Sequence, residues 1–193
     1  MLDNLNKYHI ILASNSPRRK ELLTILGLNF ESKTIPGIDE SYPKELKGEE
    51  IPIHIATKKA SVYQTLINNN ELVITADTIV YVDGEVLGKP KDQADANRML
   101  KLLSGRSHEV ITGVCILTRD NQQNFAVTTN VTFDTLSEDE INFYVEKYKP
   151  YDKAGAYGIQ EWIGLVGVSK LEGSYFNVMG LPVQRLYKEL KKL

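Results

Sequence analysis

The run Leu72-Val73-Ile74-Thr75-Ala76-Asp77-Thr78-Ile79-Val80-Tyr81-Val82 is the most strand-like stretch of the chain, and the other elements have to be arranged around it. Its β-branched and aromatic residues suit a pleated, packed surface, and it is apolar on both sides of Asp77. Asp83-Gly84 then signals a two-residue hairpin turn into Glu85-Val86-Leu87. An aspartate in the middle of such a strand is costly unless it is paired, hydrogen-bonded or metal-bound. Asp77 is therefore the leading single candidate for chemistry, the alternative being a bulge or strand-end acid that caps neighbouring backbone.

A second constrained stretch lies near the start. Ile10-Ile11-Leu12 is a short apolar run, Ser14-Asn15-Ser16 follows, and apolar periodicity resumes at Leu22, Leu23, Ile25 and Leu26. This reads as strand, tight turn and helix, with Ser16 as N-cap and Pro17 at the first helical position, where its missing N–H had no partner anyway. Arg18 and Arg19 then fall in the first turn, where the helix dipole disfavours cations and favours anions. Backbone N–H groups, a hydroxyl from Ser14 or Ser16 and two guanidinium forks make a polyphosphate cradle one reading. A solvated basic turn paired with nearby carboxylates is the other.

The remaining pattern alternates helices and strands. Gly27 ends the first helix, and Asn29–Ile35 reads as a strand leading to a loop that carries Asp39 and Glu40. Ile51 to about Asn68 reads as an amphipathic helix with Lys58 and Lys59 beside its apolar stripe; one of them reaching across to a phosphate is one reading, and solvated lysines on a helix flank are the other. Gly88-Lys89-Pro90 puts Lys89 on a rigid loop. Asp92–Leu103 reads as a helix, and Glu109–Thr118 and Phe125–Phe133 read as strands of a long, twisted antiparallel or mixed sheet. Ser137-Glu138-Asp139-Glu140 is a capping box opening a helix to about Tyr148. The Asp152–Gln160 block is dense in small residues and reads as a ligand-binding loop or an ordinary glycine-containing connection. Leu165–Leu171 reads as a strand and Val183–Leu193 as the last helix.

Composition narrows the function classes. A chain of 193 residues fits one domain, 1–193, with a core of its own, and a net charge of -2 gives no electrostatic case for nucleic acid or a membrane surface. The single cysteine, Cys115, lies inside a strand pattern and reads as inert packing; with three scattered histidines there is no zinc-like set. The start lacks the apolar core of a signal peptide, no apolar run approaches the ~20 residues of a membrane span, and a cytoplasmic home is expected.

Ser14-Asn15-Ser16-Pro17-Arg18-Arg19, Ala76-Asp77-Thr78-Ile79-Val80, Gly88-Lys89-Pro90, Ser104-Gly105, Asp152-Lys153-Ala154-Gly155-Ala156-Tyr157-Gly158-Ile159-Gln160 and Gly180-Leu181-Pro182, in that order, resemble the Maf family of nucleotide pyrophosphatases. The resemblance implies an α/β, inosine-triphosphatase-like fold. Its sheet is elongated, twisted and mixed, with flanking helices and two lobes around a central cleft, usually in a homodimer. It also implies cleavage of nucleoside triphosphates to the monophosphate and pyrophosphate, dependent on a divalent metal such as Mg²⁺ or Mn²⁺. By the same resemblance Asp77 is the family's catalytic acid, and Ser14, Arg18, Arg19, Glu40, Lys59, Lys89 and Gln160 match other site positions. Glu40 and Asp77 are the implied metal ligands, and which carboxylate binds metal and which activates water stays open. Arg18, Thr78 and Gln160 match positions that separate the branch cleaving dTTP and UTP from the branch acting on methylated GTP, and this chain resembles the first. Many members have glycine after the glutamine, where this chain has Glu161-Trp162. The family is also associated with septum formation, so a nucleotide-binding interaction protein of cell division without turnover is the alternative.

Overall fold

The computed structural model describes residues 2–193. Its elements are β1 (His9–Leu12), α1 (Pro17–Ile25), β2 (Glu31–Ser32), α2 (Glu50–Gln64), β3 (Glu71–Val82), β4 (Glu85–Leu87), α3 (Gln93–Leu103), β5 (Ser107–Leu117), β6 (Gln122–Phe133), α4 (Glu138–Tyr148), α5 (Trp162–Gly167), β7 (Val168–Glu172), α6 (Tyr175–Val178) and α7 (Val183–Leu190). Among the described residues seven strands hydrogen-bond in the order β2-β1-β3-β5-β6-β7, with β4 paired to β3. The sheet is mixed, as expected: β1 runs parallel to both β2 and β3, whereas β3–β4 and β6–β7 are antiparallel.

Two compact units make up the chain, one comprising Met1–Asp77, Thr112–Val127 and Gly180–Leu193, the other Thr78–Ile111 and Thr128–Met179. In the first, Ile11, Val73, Cys115 and Leu117 of the strands pack with Ala56, Ala60 and Tyr63 of α2. The helix comes so close to β5 that a Cβ on Gly113 would lie 2.3 Å from the Pro52 carbonyl carbon, so only glycine fits there. Cys115 is fully buried, and burial pushes its thiol up to about 12, as befits inert packing. The core of the second unit joins Val80, Val82 and Leu87 to Leu100 and Leu103 of α3, Tyr144 and Val145 of α4, and Tyr157 and Ile163.

The structure corrects two sequence expectations. Only Glu31–Ser32 of the expected Asn29–Ile35 strand forms a ladder, two residues opposite Ile11 and Leu12, because this exposed segment offers little apolar surface to hold more. The expected Leu165–Leu171 strand is half helix: α5 turns Ile163 and Gly167 inward and leaves Leu165 81% exposed, and β7 starts only at Val168. The short α6 was not expected. Elsewhere the start signals work as chemistry requires, with Asp92 accepting from the Asp95 N–H and Ser137 and Glu140 closing the capping box.

A buried histidine packs against the second core. His108 is 3% exposed, its Nε2 lies 2.7 Å from the Tyr157 hydroxyl, and the Phe133 and Tyr157 rings meet it edge-on. Burial pulls its pKa from 6.5 down to about 4. Between those values the unfolded chain binds a proton that the folded protein refuses, so stability is complete above pH ~6.5 and declines as the pH falls toward ~4. Urea unfolding at pH 5 is expected to give a stability about 2 kcal/mol below that at pH 7.5 from this group. His108→Gln, which cannot titrate, should flatten that part of the profile.

Candidate functional site

The first unit builds a charged site from three segments. At the start of α1, Ser16 caps the helix by accepting from the Arg19 N–H, and Pro17 occupies the first helical position. Ser14, 7% exposed, accepts from the Ser16 N–H at 3.2 Å. The capped turn starts Arg18 and Arg19 from a fixed backbone. Arg19 folds inward, its Nε donating to the Gly180 carbonyl and its Nη1 to the Ala76 carbonyl, each at 2.8 Å. The Ser14 hydroxyl is 3.5 Å from the same Nη1. Burial lowers the Arg19 pKa, with Asp77 opposing the shift; a guanidinium stays charged regardless.

Asp77 stands on β3 between two pairing registers, β1 ending at Ile74 and β4 starting at Val80. Its side chain is 14% exposed and meets Lys59 of α2, whose ammonium is 2.8 Å from Asp77 Oδ1 and 3.1 Å from Glu40 Oε1. Lys59 is itself 13% exposed, and Glu40 reaches in from the loop after β2 with half its surface in solvent. Local periodicity explains the meeting. Thr75 and Asp77 share a strand face, and Ala56 and Lys59 lie on one side of the helix, three residues apart. The buried Thr75 hydroxyl donates to the Ala56 carbonyl at 2.6 Å, which fixes the register that brings Lys59 onto Asp77. Neither Thr75 nor Ala56 was read as part of the site, although the two periodicities together carry the signal.

The structure also separates the two lysines. Lys58 points to Asp39, at 2.7 Å, and to the Ser41 carbonyl, at 3.3 Å; the Lys58 ammonium, with the Ser41 hydroxyl and N–H that also donate to Asp39, holds this exposed carboxyl well below its ordinary range. Of the expected residues, Ser14, Arg18, Arg19, Glu40, Lys59 and Asp77 thus belong to one unit, where the contacts above join Ser14 to Arg19 and Lys59 to both carboxylates.

Thr78, Lys89 and Gln160 belong to the second unit. Thr78 is half-buried on β3, while Lys89 and Gln160 are exposed on loops. Those loops are linked, since the Gly155 N–H donates to the Gly88 carbonyl at 3.1 Å.

Among the described residues no group of three or more His, Cys, Asp or Glu is placed to hold a metal. The donor set at Asp77 and Glu40 still suits one. Two carboxylates already gather round a cation, the Lys59 ammonium, and Mg²⁺ is commonly held by one or two carboxylates with substrate phosphates completing the shell.

Arg19 carries a stability prediction. Arg19→Met should destabilise the protein by about 2 kcal/mol or more in urea unfolding, because the buried Ala76 and Gly180 carbonyls lose a charged donor. Arg19→Lys should recover only part, since an ammonium lacks the fork that spans both.

Residues 9–193 match the family model described as Maf-like protein. The dTTP/UTP pyrophosphatase of Phocaeicola vulgatus is 62% identical over 193 residues, covering 100% of each chain. That of Bacteroides fragilis is 61% identical with the same coverage, and that of Flavobacterium johnsoniae 48% identical over 191 residues, covering 99% of this chain and 98% of its own. Among solved structures the Staphylococcus aureus Ham1 protein matches with a TM-score of 0.57 at 18% identity, covering 95% of this chain and 98% of that one. That likeness bears on the fold alone, an α/β architecture with a mixed sheet flanked by helices. By the family match over residues 9–193 and by identity along its whole length, the chain belongs to the Maf-like protein family.

Proposed function

We propose that the protein is a nucleoside triphosphate pyrophosphatase that hydrolyses dTTP and UTP to the nucleoside monophosphate and pyrophosphate. The observation that carries this reading is the Lys59 ammonium held between Asp77 and Glu40, in the unit that also holds the arginine-bearing, Ser16-capped start of α1. The names of the full-length relatives supply the substrates.

Water attacks the α-phosphorus, the bond from that phosphorus to the bridging oxygen breaks, and pyrophosphate leaves with the electron pair. Asp77, which lies 2.8 Å from the Lys59 ammonium, takes the proton from the attacking water. Asp77 and Glu40 would hold Mg²⁺ or Mn²⁺, which when bound neutralises phosphate charge and acidifies the attacking water. Ser14, Arg18, Arg19, Lys59 and Lys89 bind the phosphates, and Lys59 exchanges a carboxylate for a phosphate oxygen as substrate arrives. Thr78 and Gln160 set the choice of base. The chain works as one functional domain in a cytoplasmic homodimer, on a small-molecule nucleotide rather than on nucleic acid or a membrane. Among the described residues no helix is long and apolar enough to cross a membrane.

A panel of purified triphosphates with Mg²⁺ or Mn²⁺ and product identification tests the reading. The expected result is monophosphate and pyrophosphate from dTTP and UTP, abolished by a chelator and restored by either metal. Asp77→Asn should lower kcat by about 10²- to 10⁴-fold while nucleotide still binds. Absence of monophosphate from both nucleotides in wild type, or an Asp77→Asn rate equal to wild type, would overturn it.

A further inference from the structure

The Asp152–Gln160 block and Glu161, in the second unit, are held by an interaction the proposed mechanism does not use. Residues 152–161 contain two glycines and no strand, and ordering such a segment costs roughly 1–2 kcal/mol per residue in backbone entropy. Something must hold it. Tyr144 of α4 is fully buried, accepts from the Gly158 N–H at 2.9 Å and donates to the Glu161 carboxylate. Lys153, 8% exposed, places its ammonium 3.1 Å from the same carboxylate and 2.8 Å from Asp152. The Glu161 N–H returns to the Gly158 carbonyl at 3.0 Å and closes the ring of contacts. Gly158 is required by this packing, because a Cβ there would lie 2.9 Å from the Glu161 carboxyl carbon and 3.0 Å from Lys153 Cε.

Two details argue against a merely incidental cluster. Glu161 occupies the N-cap position of α5, where an acidic side chain ordinarily accepts from the helix's own N–H groups, yet it makes no such bond and turns to Tyr144 and Lys153 instead. A lysine and a tyrosine buried this deeply are also rare without committed partners, and here both converge on one carboxylate. Burial, then the Glu161 carboxylate, pushes the Tyr144 phenol well above its ordinary range, so it remains a donor. Between the buried Ile159 and the anchored Glu161, the exposed Gln160 is the one side chain of this tripeptide facing water.

We propose that Tyr144, Lys153 and Glu161 are positioning residues that hold the Gln160 amide in place for recognition of the pyrimidine base. The proposal rests on the pyrophosphatase reading, in which Gln160 reads the base. It gives Glu161 a role: the carboxylate is turned toward Tyr144 and Lys153 as a brace.

The test combines dTTP kinetics of wild type, Glu161→Ala, Glu161→Gln and Tyr144→Phe, each with Gln160 present and with Gln160→Ala, and amide hydrogen exchange of residues 155–161. Glu161→Ala and Tyr144→Phe are expected to raise KM for dTTP about tenfold with kcat within threefold, and to speed exchange in this segment at least tenfold. Glu161→Gln, which still accepts from Tyr144, should recover most of the KM. In the Gln160→Ala background the Glu161→Ala change should move KM by less than twofold. An equal KM change in both backgrounds, or unchanged exchange of residues 155–161 in Glu161→Ala, overturns the proposal. If wild type cleaves neither dTTP nor UTP, the activity reading fails, and the exchange result decides the brace by itself.

Discussion

A carboxylate set into the middle of a largely buried strand is the constraint on which the first unit depends. Asp77 is tolerable there because the Lys59 ammonium meets it at 2.8 Å, and that meeting demands a defined register of α2 over β3. Two unrelated features fix the register. Thr75 donates to the Ala56 carbonyl, and Gly113 lets the start of α2 lie almost on the backbone of β5. A largely buried ion pair adds little net stability, since desolvation offsets most of its Coulomb gain. The register is therefore held mainly by the apolar packing of Ala56, Ala60 and Tyr63 and by the Thr75 bond, and the charges are carried along with it.

What could be read from the sequence follows from the range of the interaction concerned. The Leu72–Val82 strand, its Asp83-Gly84 turn and the Ser137 capping box depend on neighbours a few residues away, and the structure has all three. The Ser16 cap and Pro17 likewise stand as read. The second half of the chain was harder. Trp162–Gly167 has a β-like composition, but its helix is decided by distant packing that buries Ile163 and Gly167, information absent from a local pattern. The pair Lys58 and Lys59 shows the same limit at the site. Adjacent on one helix, they were equivalent by pattern, and only the position of β3 and of the loop after β2 sends one to Asp77 and the other to Asp39.

Arg19 shows how a motif can be located correctly while its contacts stay hidden. Its place in the first turn of α1 follows from the cap. That its guanidinium spans the Ala76 and Gly180 carbonyls does not, because those partners are 57 and 161 residues away. The consequence is structural as well as electrostatic. Arg19 holds the backbone one residue before Asp77, so a change there reaches the carboxylate through the strand as well as through charge.

Glu161 and Glu189 extend the point to acids that look, in sequence, like ordinary charged surface. Glu189, on α7, is 1% exposed and takes bonds from Gln123, from Arg185 at 2.6 Å and from Lys192 at 2.5 Å, which together hold its carboxyl down at about 2. It anchors the last helix to β6. Glu161 is built by the same logic, a carboxylate receiving one neutral and one cationic donor, but its partners lie on and beside a loop. That difference in placement separates their consequences. Loosening Glu189 frees an end of the last helix, whereas loosening Glu161 frees the loop segment that carries the exposed Gln160. A charged residue's role is thus set by what its partners would otherwise be free to do.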